Sequence, residues 1–133
     1  MKLGRARITS VGDANPRTYP DGKTTSRAMF GYKDWEIQTP ERIDSKAFFS
    51  CGVLQLPEQA EIAAHCHSGR EEIYFVLEGT GEVNADGEYA VVQPGMAIWF
   101  PAGTVHRVFN PNKESLKMFF ATAVTDSGNM KHD

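Results

Sequence analysis

From position 46 the chain runs through short apolar stretches separated by polar breaks. KAFFSCGVLQL (46–56), EIYFVLEG (72–79), EYAVVQ (88–93), MAIWF (96–100), HRVFN (106–110) and SLKMFFATAV (115–124) are dense in Val, Ile, Phe, Tyr and Trp. None reaches helical length with apolar positions three and four apart, whereas β-branched and aromatic residues suit a pleated, half-buried surface. Glycine and proline break the chain roughly every eight to twelve residues beyond position 40, which is the rhythm of many short strands.

The pattern predicts an all-β domain with almost no helix. Ala85-Asp86-Gly87 reads as a tight hairpin between GEVN and EYAVV, and Pro101-Ala102-Gly103-Thr104 as a turn that makes MAIWF and HRVFN antiparallel neighbours. Before position 46, breaks at Asn15-Pro16, Tyr19-Pro20, Asp21-Gly22, Phe30-Gly31 and Thr39-Pro40 leave room for strands at RARITSV (5–11), SRAMFGY (26–32) and DWEIQ (34–38). The closing TDSGNMKHD (125–133) has no packing face and is expected to fray, His132 with it.

Side chains alternate across a strand, so in EIYFVL residues Glu72, Tyr74 and Val76 share one face and Ile73, Phe75 and Leu77 the other. The second set is too apolar for a solvated face, and either the N-terminal arm or a second copy of the chain is expected to cover it. A homodimer is the expected form.

Length and charge narrow the function. A chain of 133 residues fits one domain, able to bury roughly 65–70 % of its unfolded surface. Fourteen Lys and Arg against seventeen Asp and Glu give a net charge of −3, with no basic stripe to follow a phosphate backbone, so nucleic acid is not an expected partner. No apolar run approaches the ~20 residues of a membrane span, and the start lacks a signal-peptide core, which makes a cytoplasmic location the expectation. Two cysteines, Cys51 and Cys66, are too few for a disulfide framework.

The chemistry concentrates at HCHSGREE (65–72). Of the four histidines, His65 and His67 stand two apart on one predicted strand and His106 at the mouth of another. On an extended backbone His65 and His67 project together while Cys66 turns away. After the SGR turn, either Glu71 or Glu72 could reach back, and His106 opens the strand after a Pro-Gly turn. Three imidazoles and one carboxylate suit a divalent first-row metal better than calcium or a zinc-finger site. Arg70 and Glu71, on the turn, are expected in solvent, as is Arg107, which alternates with His106.

The stretch from His65 to Gly79 resembles the first cupin motif, His-x-His, three or four residues, Glu, six residues, Gly. GMAIWFPAGTVHRVFN resembles the second, with Gly95, Pro101, Gly103, His106 and Asn110 at its anchors. Six residues before Gly79 select Glu72 over Glu71. The first motif usually opens with glycine six residues before the first histidine, where this chain has Gln59. The resemblance implies a single-domain antiparallel double-sheet barrel of jelly-roll type, with His65, His67, Glu72 and His106 as metal ligands. On that plan residues 1–45 form an arm with edge strands packing on the barrel or a partner subunit, 46–123 the barrel and 124–133 a polar tail. Gly103 and Asn110 are expected to shape turns.

Four protein ligands on an octahedral ion leave two positions for substrate, which favours iron or manganese, with nickel, zinc, cobalt or copper as alternatives. The resemblance implies a metal-dependent enzyme on a small oxygenated organic substrate, foremost a dioxygenase. An isomerase, epimerase or lyase and a non-catalytic small-molecule or sugar-binding module are the alternatives, since a fold does not fix a reaction. Tyr74, two residues beyond Glu72 on the same face, is the expected further participant in catalysis.

Overall fold

A computed structural model of the protein describes residues 2–32 and 44–125. The strands are β1 (Lys2–Leu3), β2 (Ala6–Arg7), β3 (Arg17–Thr18), β4 (Thr25–Tyr32), β5 (Asp44–Ser45), β6 (Phe48–Leu56) and β7 (Glu61–His65), then β8 (Arg70–Glu78), β9 (Gly81–Ala85), β10 (Glu88–Val92), β11 (Ala97–Phe100), β12 (His106–Phe109) and β13 (Leu116–Val124). The one helical element among the described residues is a 3₁₀ turn at Val11–Asp13, capped by the Ser10 hydroxyl, which accepts from the Gly12 amide. The strand expected at RARITSV is shortened to β2, Ile8–Ser10 being irregular and Val11 opening the 3₁₀ turn. The expected strand DWEIQ, the expected fraying of 126–133 and His132 lie outside the described residues. No described helix is long and apolar enough to cross a membrane.

Two sheets face each other. The larger runs β11-β8-β13-β6-β4-β3, with β5 added in parallel to β4, and the smaller runs β10-β9-β12-β7; every other ladder is antiparallel. The Asp86-Gly87 hairpin forms as expected, with φ of 50° and 85°, because a two-residue turn of this twist needs positive φ at both positions. PAGT does not join neighbours. β11 pairs with β8 in the large sheet and β12 with β9 and β7 in the small one, so 101–105 carries the chain from one sheet to the other.

The inner faces grade from apolar to polar along the barrel. At one end Leu54, Leu56, Val76, Leu116 and Met118 of the large sheet meet Ile62, Val83, Val92 and Val108 of the small one, all buried. At the other end the same alternation places Ser50, Arg70, Glu72 and Thr122 opposite His65 and His106. Packing at the first end supplies the stability, since a fully buried aliphatic side chain contributes about 1.5–3 kcal/mol. The outward stripe is bare: Ile73, Phe75 and Leu77 are 42, 40 and 42 % exposed, and Trp99, in register with Ile73 on edge strand β11, is 61 % exposed.

Two polar devices fix the loops. Asn110, fully buried, donates from Nδ2 to the carbonyls of Leu56 (2.9 Å), Pro57 (3.2 Å) and Glu114 (2.9 Å) and accepts from the Asn112 amide, clamping the β6–β7 turn to the β12–β13 loop. Asp21 accepts from the amides of Lys23, Thr24 and Glu61 and from the Thr24 hydroxyl, tying the β3–β4 turn to β7. Its partial burial works to raise the carboxyl pKa, but those donors outweigh it and hold the pKa at about 2.

Gln59, which stands where the first motif usually has glycine, keeps the glycine-type conformation: its φ is 63°, its amide donates to the Asn110 carbonyl (2.7 Å) and its side-chain amide to the Pro111 carbonyl (3.1 Å). Left-handed backbone costs a side-chain-bearing residue about 1–2 kcal/mol, against roughly 0.5–1 kcal/mol of extra backbone entropy for glycine. Gln59→Gly is therefore expected to stabilise the fold by about 0.5–1 kcal/mol, a rise of roughly 2–4 °C in melting temperature by calorimetry.

Candidate metal centre

β7 delivers His65 at its last position and β12 opens on His106, and the two are direct cross-strand partners in the small sheet. Their ring centroids lie 4.3 Å apart. His67 sits two residues past the end of β7, with its ring 4.8 Å from His65 and 5.7 Å from His106. Glu72 comes across from the large sheet, 8 % exposed. One ligand atom from each of His65, His67, Glu72 and His106 lies within 4.8 Å of all the others. Cys66 faces solvent, as strand alternation predicts.

Carbonyl oxygens, which can only accept, fix two of the rings. The His65 Nδ1 proton goes to Ala63 O (2.8 Å) and that of His106 to Thr104 O (2.9 Å), leaving the Nε2 lone pairs for the centre. His106 Nε2 then faces Glu72 Oε1 at 3.2 Å, both atoms buried, an ion pair when the ring is protonated and a contact of two lone pairs when it is not. Two lone pairs at that distance repel unless a proton or a cation lies between them. The donor set fits a divalent first-row ion on that ground: two imidazole nitrogens with fixed tautomers, a third imidazole and a carboxylate, with Glu72 and His106 buried and His65 and His67 partly so. Burial works to lower the His106 pKa, but the Glu72 carboxylate and the Thr104 carbonyl outweigh it and the net shift is upward. His67 moves the other way, to about 4, chiefly through burial and with help from Arg70 and the other two histidines.

Aromatic packing holds the polar cluster. Phe100 stacks on His106 at 4.3 Å between centroids and 18° between planes, and Tyr74 meets the Phe100 edge at 5.2 Å. Tyr74 is 2 % exposed and shares the inner face of β8 with Glu72. Burial above all, and then the Glu72 charge, push the Tyr74 phenol well above its ordinary pKa, so it stays protonated as a donor. Glu71, of opposite parity, lies outside the cluster of potential ligands.

Arg70 contradicts the expectation of a solvated turn residue. It is the first residue of β8, 4 % exposed, with the parity of Glu72; its Nη2 donates to His67 Nδ1 at 2.9 Å and its guanidinium lies 3.9 Å over the Phe49 ring. Alternation counted two residues back from Glu72 would have found it. Arg107 does face outward, half-exposed and paired with Glu61 at 2.6 Å. Gly103 has a φ of 83°, and its amide donates to His67 O, so the segment that crosses between the sheets is fastened beside the cluster.

Three of the four, His65, His67 and Glu72, border a cavity of about 500 Å³. Its further polar lining comes from Arg17, Tyr19, Ser26, Ser50, Arg70, Tyr74 and Thr122. Tyr19, Ser26 and Ser50 carried no local signal, because β3, β4 and β6 bring them there only through long-range pairing.

A family model for the cupin domain matches residues 52–122, more than half of the chain. The chain belongs to the cupin family. Among characterised and uncharacterised sequences, this cupin is 35 % identical over 63 residues to the uncharacterized protein MJ1618 of Methanocaldococcus jannaschii, an alignment covering 47 % of the chain and 50 % of that protein. It is 30 % identical over 57 residues to a mannose-1-phosphate guanylyltransferase of Sinorhizobium fredii, covering 43 % of the chain but 11 % of that enzyme. The matches thus span half or less of these two relatives. Among solved structures, a protein described as a predicted oxalate decarboxylase from Thermotoga maritima superposes with a TM-score of 0.72 at 16 % identity, covering 89 % of this chain and 99 % of that one. KdgF from Halomonas sp. gives 0.69 at 16 %, covering 92 and 98 %. At that identity both establish the jelly-roll fold alone.

Glu72→Gln is expected to lose most bound metal while Glu71→Gln retains it, read by elemental analysis of the purified variants; equal contents would refute the choice between them. Metal removal should also loosen the fold, since the ion would join both sheets. At free metal one hundred times its dissociation constant, binding to the native state alone stabilises by about 2.7 kcal/mol, a melting shift of roughly 5–10 °C that chelation should reverse.

Proposed function

We propose that this cupin is a metal-dependent enzyme acting on a small oxygenated organic substrate, with dioxygenase-type chemistry foremost. The observation that carries the proposal is the convergence of His65, His67, Glu72 and His106, one ligand atom of each within 4.8 Å of all the others, beside a cavity with polar walls. His65, His67, Glu72 and His106 would hold the ion, which when bound supplies Lewis acidity toward a substrate oxygen and, if iron or manganese, electron exchange with dioxygen. The chain's own contribution is placement. Ala63 and Thr104 carbonyls hold two imidazoles in the ligating tautomer, Phe100 fixes the His106 ring plane, and Tyr74, two residues from Glu72 on the same strand face, brings a hydroxyl donor to that side of the centre.

Tyr74→Phe is expected to keep metal content and melting temperature but slow turnover roughly 10- to 100-fold, as outer partners of metal ligands do. His106→Ala should abolish metal and turnover together. An oxygen-uptake screen with diols, enols and hydroxy acids reads both. A metal-loaded protein that consumes neither oxygen nor substrate would favour a binding module.

The same proposal includes a homodimer formed on the outer face of β8 and β11, where Trp99, Ile73 and Phe75 stand 61, 42 and 40 % exposed beside an unpaired strand edge. Light scattering should report twice the chain mass, and Trp99→Lys should halve it. A monomer at high micromolar concentration removes the dimer from the proposal.

A further inference from the structure

Besides the histidines, the charged side chains that line the cavity are two guanidinium groups and one carboxylate, those of Arg17, Arg70 and Glu72. The chain as a whole is acidic, with a net charge of −3, yet this wall is positive, and a divalent ion at the histidines would make it more so. A concave wall of low dielectric focuses such a field on whatever enters.

The polar groups nearest the centre are already engaged. Arg70 lies over the Phe49 ring and donates to His67, and the Thr122 hydroxyl meets the Ser50 hydroxyl at 3.0 Å and donates to the Ser50 carbonyl at 3.2 Å. Arg17 differs. Its guanidinium carbon lies 5.3 Å from the centroid of the Tyr19 ring, a contact through the flat face of the fork that leaves the in-plane N–H donors open. Among the described residues no carboxylate pairs with Arg17 and no acceptor receives its protons.

Strand register places Arg17 relative to the centre. It pairs with Ser26 on β4, and Ser26 with Leu54 on β6, whereas Glu72 pairs with Thr122 on β13, and Thr122 with Ser50 on β6. Ser50 and Leu54 are four residues apart on one strand, about 13 Å at the usual rise per residue. Midway between them Gly52 pairs with Phe120 on one side and Ala28 on the other. Ala28, Leu54, Ile62 and Phe120 all line the cavity. An occupant that reaches from the histidines to Arg17 therefore crosses hydrocarbon.

We propose that the cavity takes an anionic substrate with an apolar body, a carboxylic acid whose oxygen-bearing end lies at the metal centre, and that Arg17 is the specificity-determining residue that binds its distal carboxylate. A planar guanidinium matches a carboxylate with two parallel hydrogen bonds. The inference rests on the metal-centre reading above and names the substrate end which that reading leaves open.

The test uses the full chain loaded with Mn²⁺ under nitrogen and two probes that share a chelating catechol end and differ only in the distal group, 3-(3,4-dihydroxyphenyl)propionate and its amide. Calorimetry at low ionic strength should show the wild type binding the acid about tenfold more tightly, and added salt should narrow the gap. Arg17 is exposed, so its replacement leaves the core intact. In Arg17→Gln the preference should fall to within about threefold, while manganese content and affinity for the amide stay as in the wild type. Arg5→Gln, which removes the same charge from outside the cavity, should keep the preference. Equal affinities in the wild type, no binding of either probe at millimolar concentration, or a preference that persists in Arg17→Gln would each overturn the proposal. So would an equal loss in Arg5→Gln, which marks an effect of net charge and not of contact. A wild type that holds no manganese overturns the metal reading itself, whereas manganese-loaded protein that binds acid and amide alike overturns only the role of Arg17.

Discussion

The polar half of this barrel depends on holding an imidazole of one sheet 3.2 Å from a carboxylate of the other, a contact that requires a proton or a cation between the two atoms. Such a contact does not assemble itself; the packing elsewhere has to impose it. The apolar end does so, because side chains of both sheets interlock there and leave the sheet separation no freedom. Phe100 transmits the constraint, reaching from an edge strand of the large sheet to stack on a histidine of the small one. Core and site are thus one system, in which hydrophobic burial at one end sustains electrostatic frustration at the other.

Much of this was legible in the sequence where chemistry followed local spacing. His65 and His67 were found by their spacing of two on an extended backbone and His106 by its place at a strand mouth, and the parity of β8 put Tyr74 and Val76 on the face of Glu72. The hairpin at Asp86-Gly87 was equally local, since two residues able to take positive φ between alternating runs leave the backbone few options.

The failures share a physical cause. Arg70 was assigned to solvent because a charged residue beside glycine looks like turn, while the pairing of Val124 with Arg70 extends β8 two residues further. MAIWF and HRVFN were read as a hairpin because a Pro-Gly turn separates them, but a short connection can cross between sheets as easily as reverse within one. Ser50 and Thr122 face the cavity only because β6 pairs with β13 across more than sixty intervening residues. Periodicity reports which side of a strand is buried and says nothing of what lies opposite. The Gln59 turn shows the converse: Asn110 holds the backbone of that turn in place although glycine is absent, so tertiary hydrogen bonds override a local preference.

The gradient along the barrel gives the chamber two unlike walls. Leu54, Ile62 and Phe120 line it on the apolar side, and His65, His67 and Glu72 on the polar one. An amphiphilic occupant is then oriented by the wall as a whole, its hydrocarbon portion turned away from the histidines.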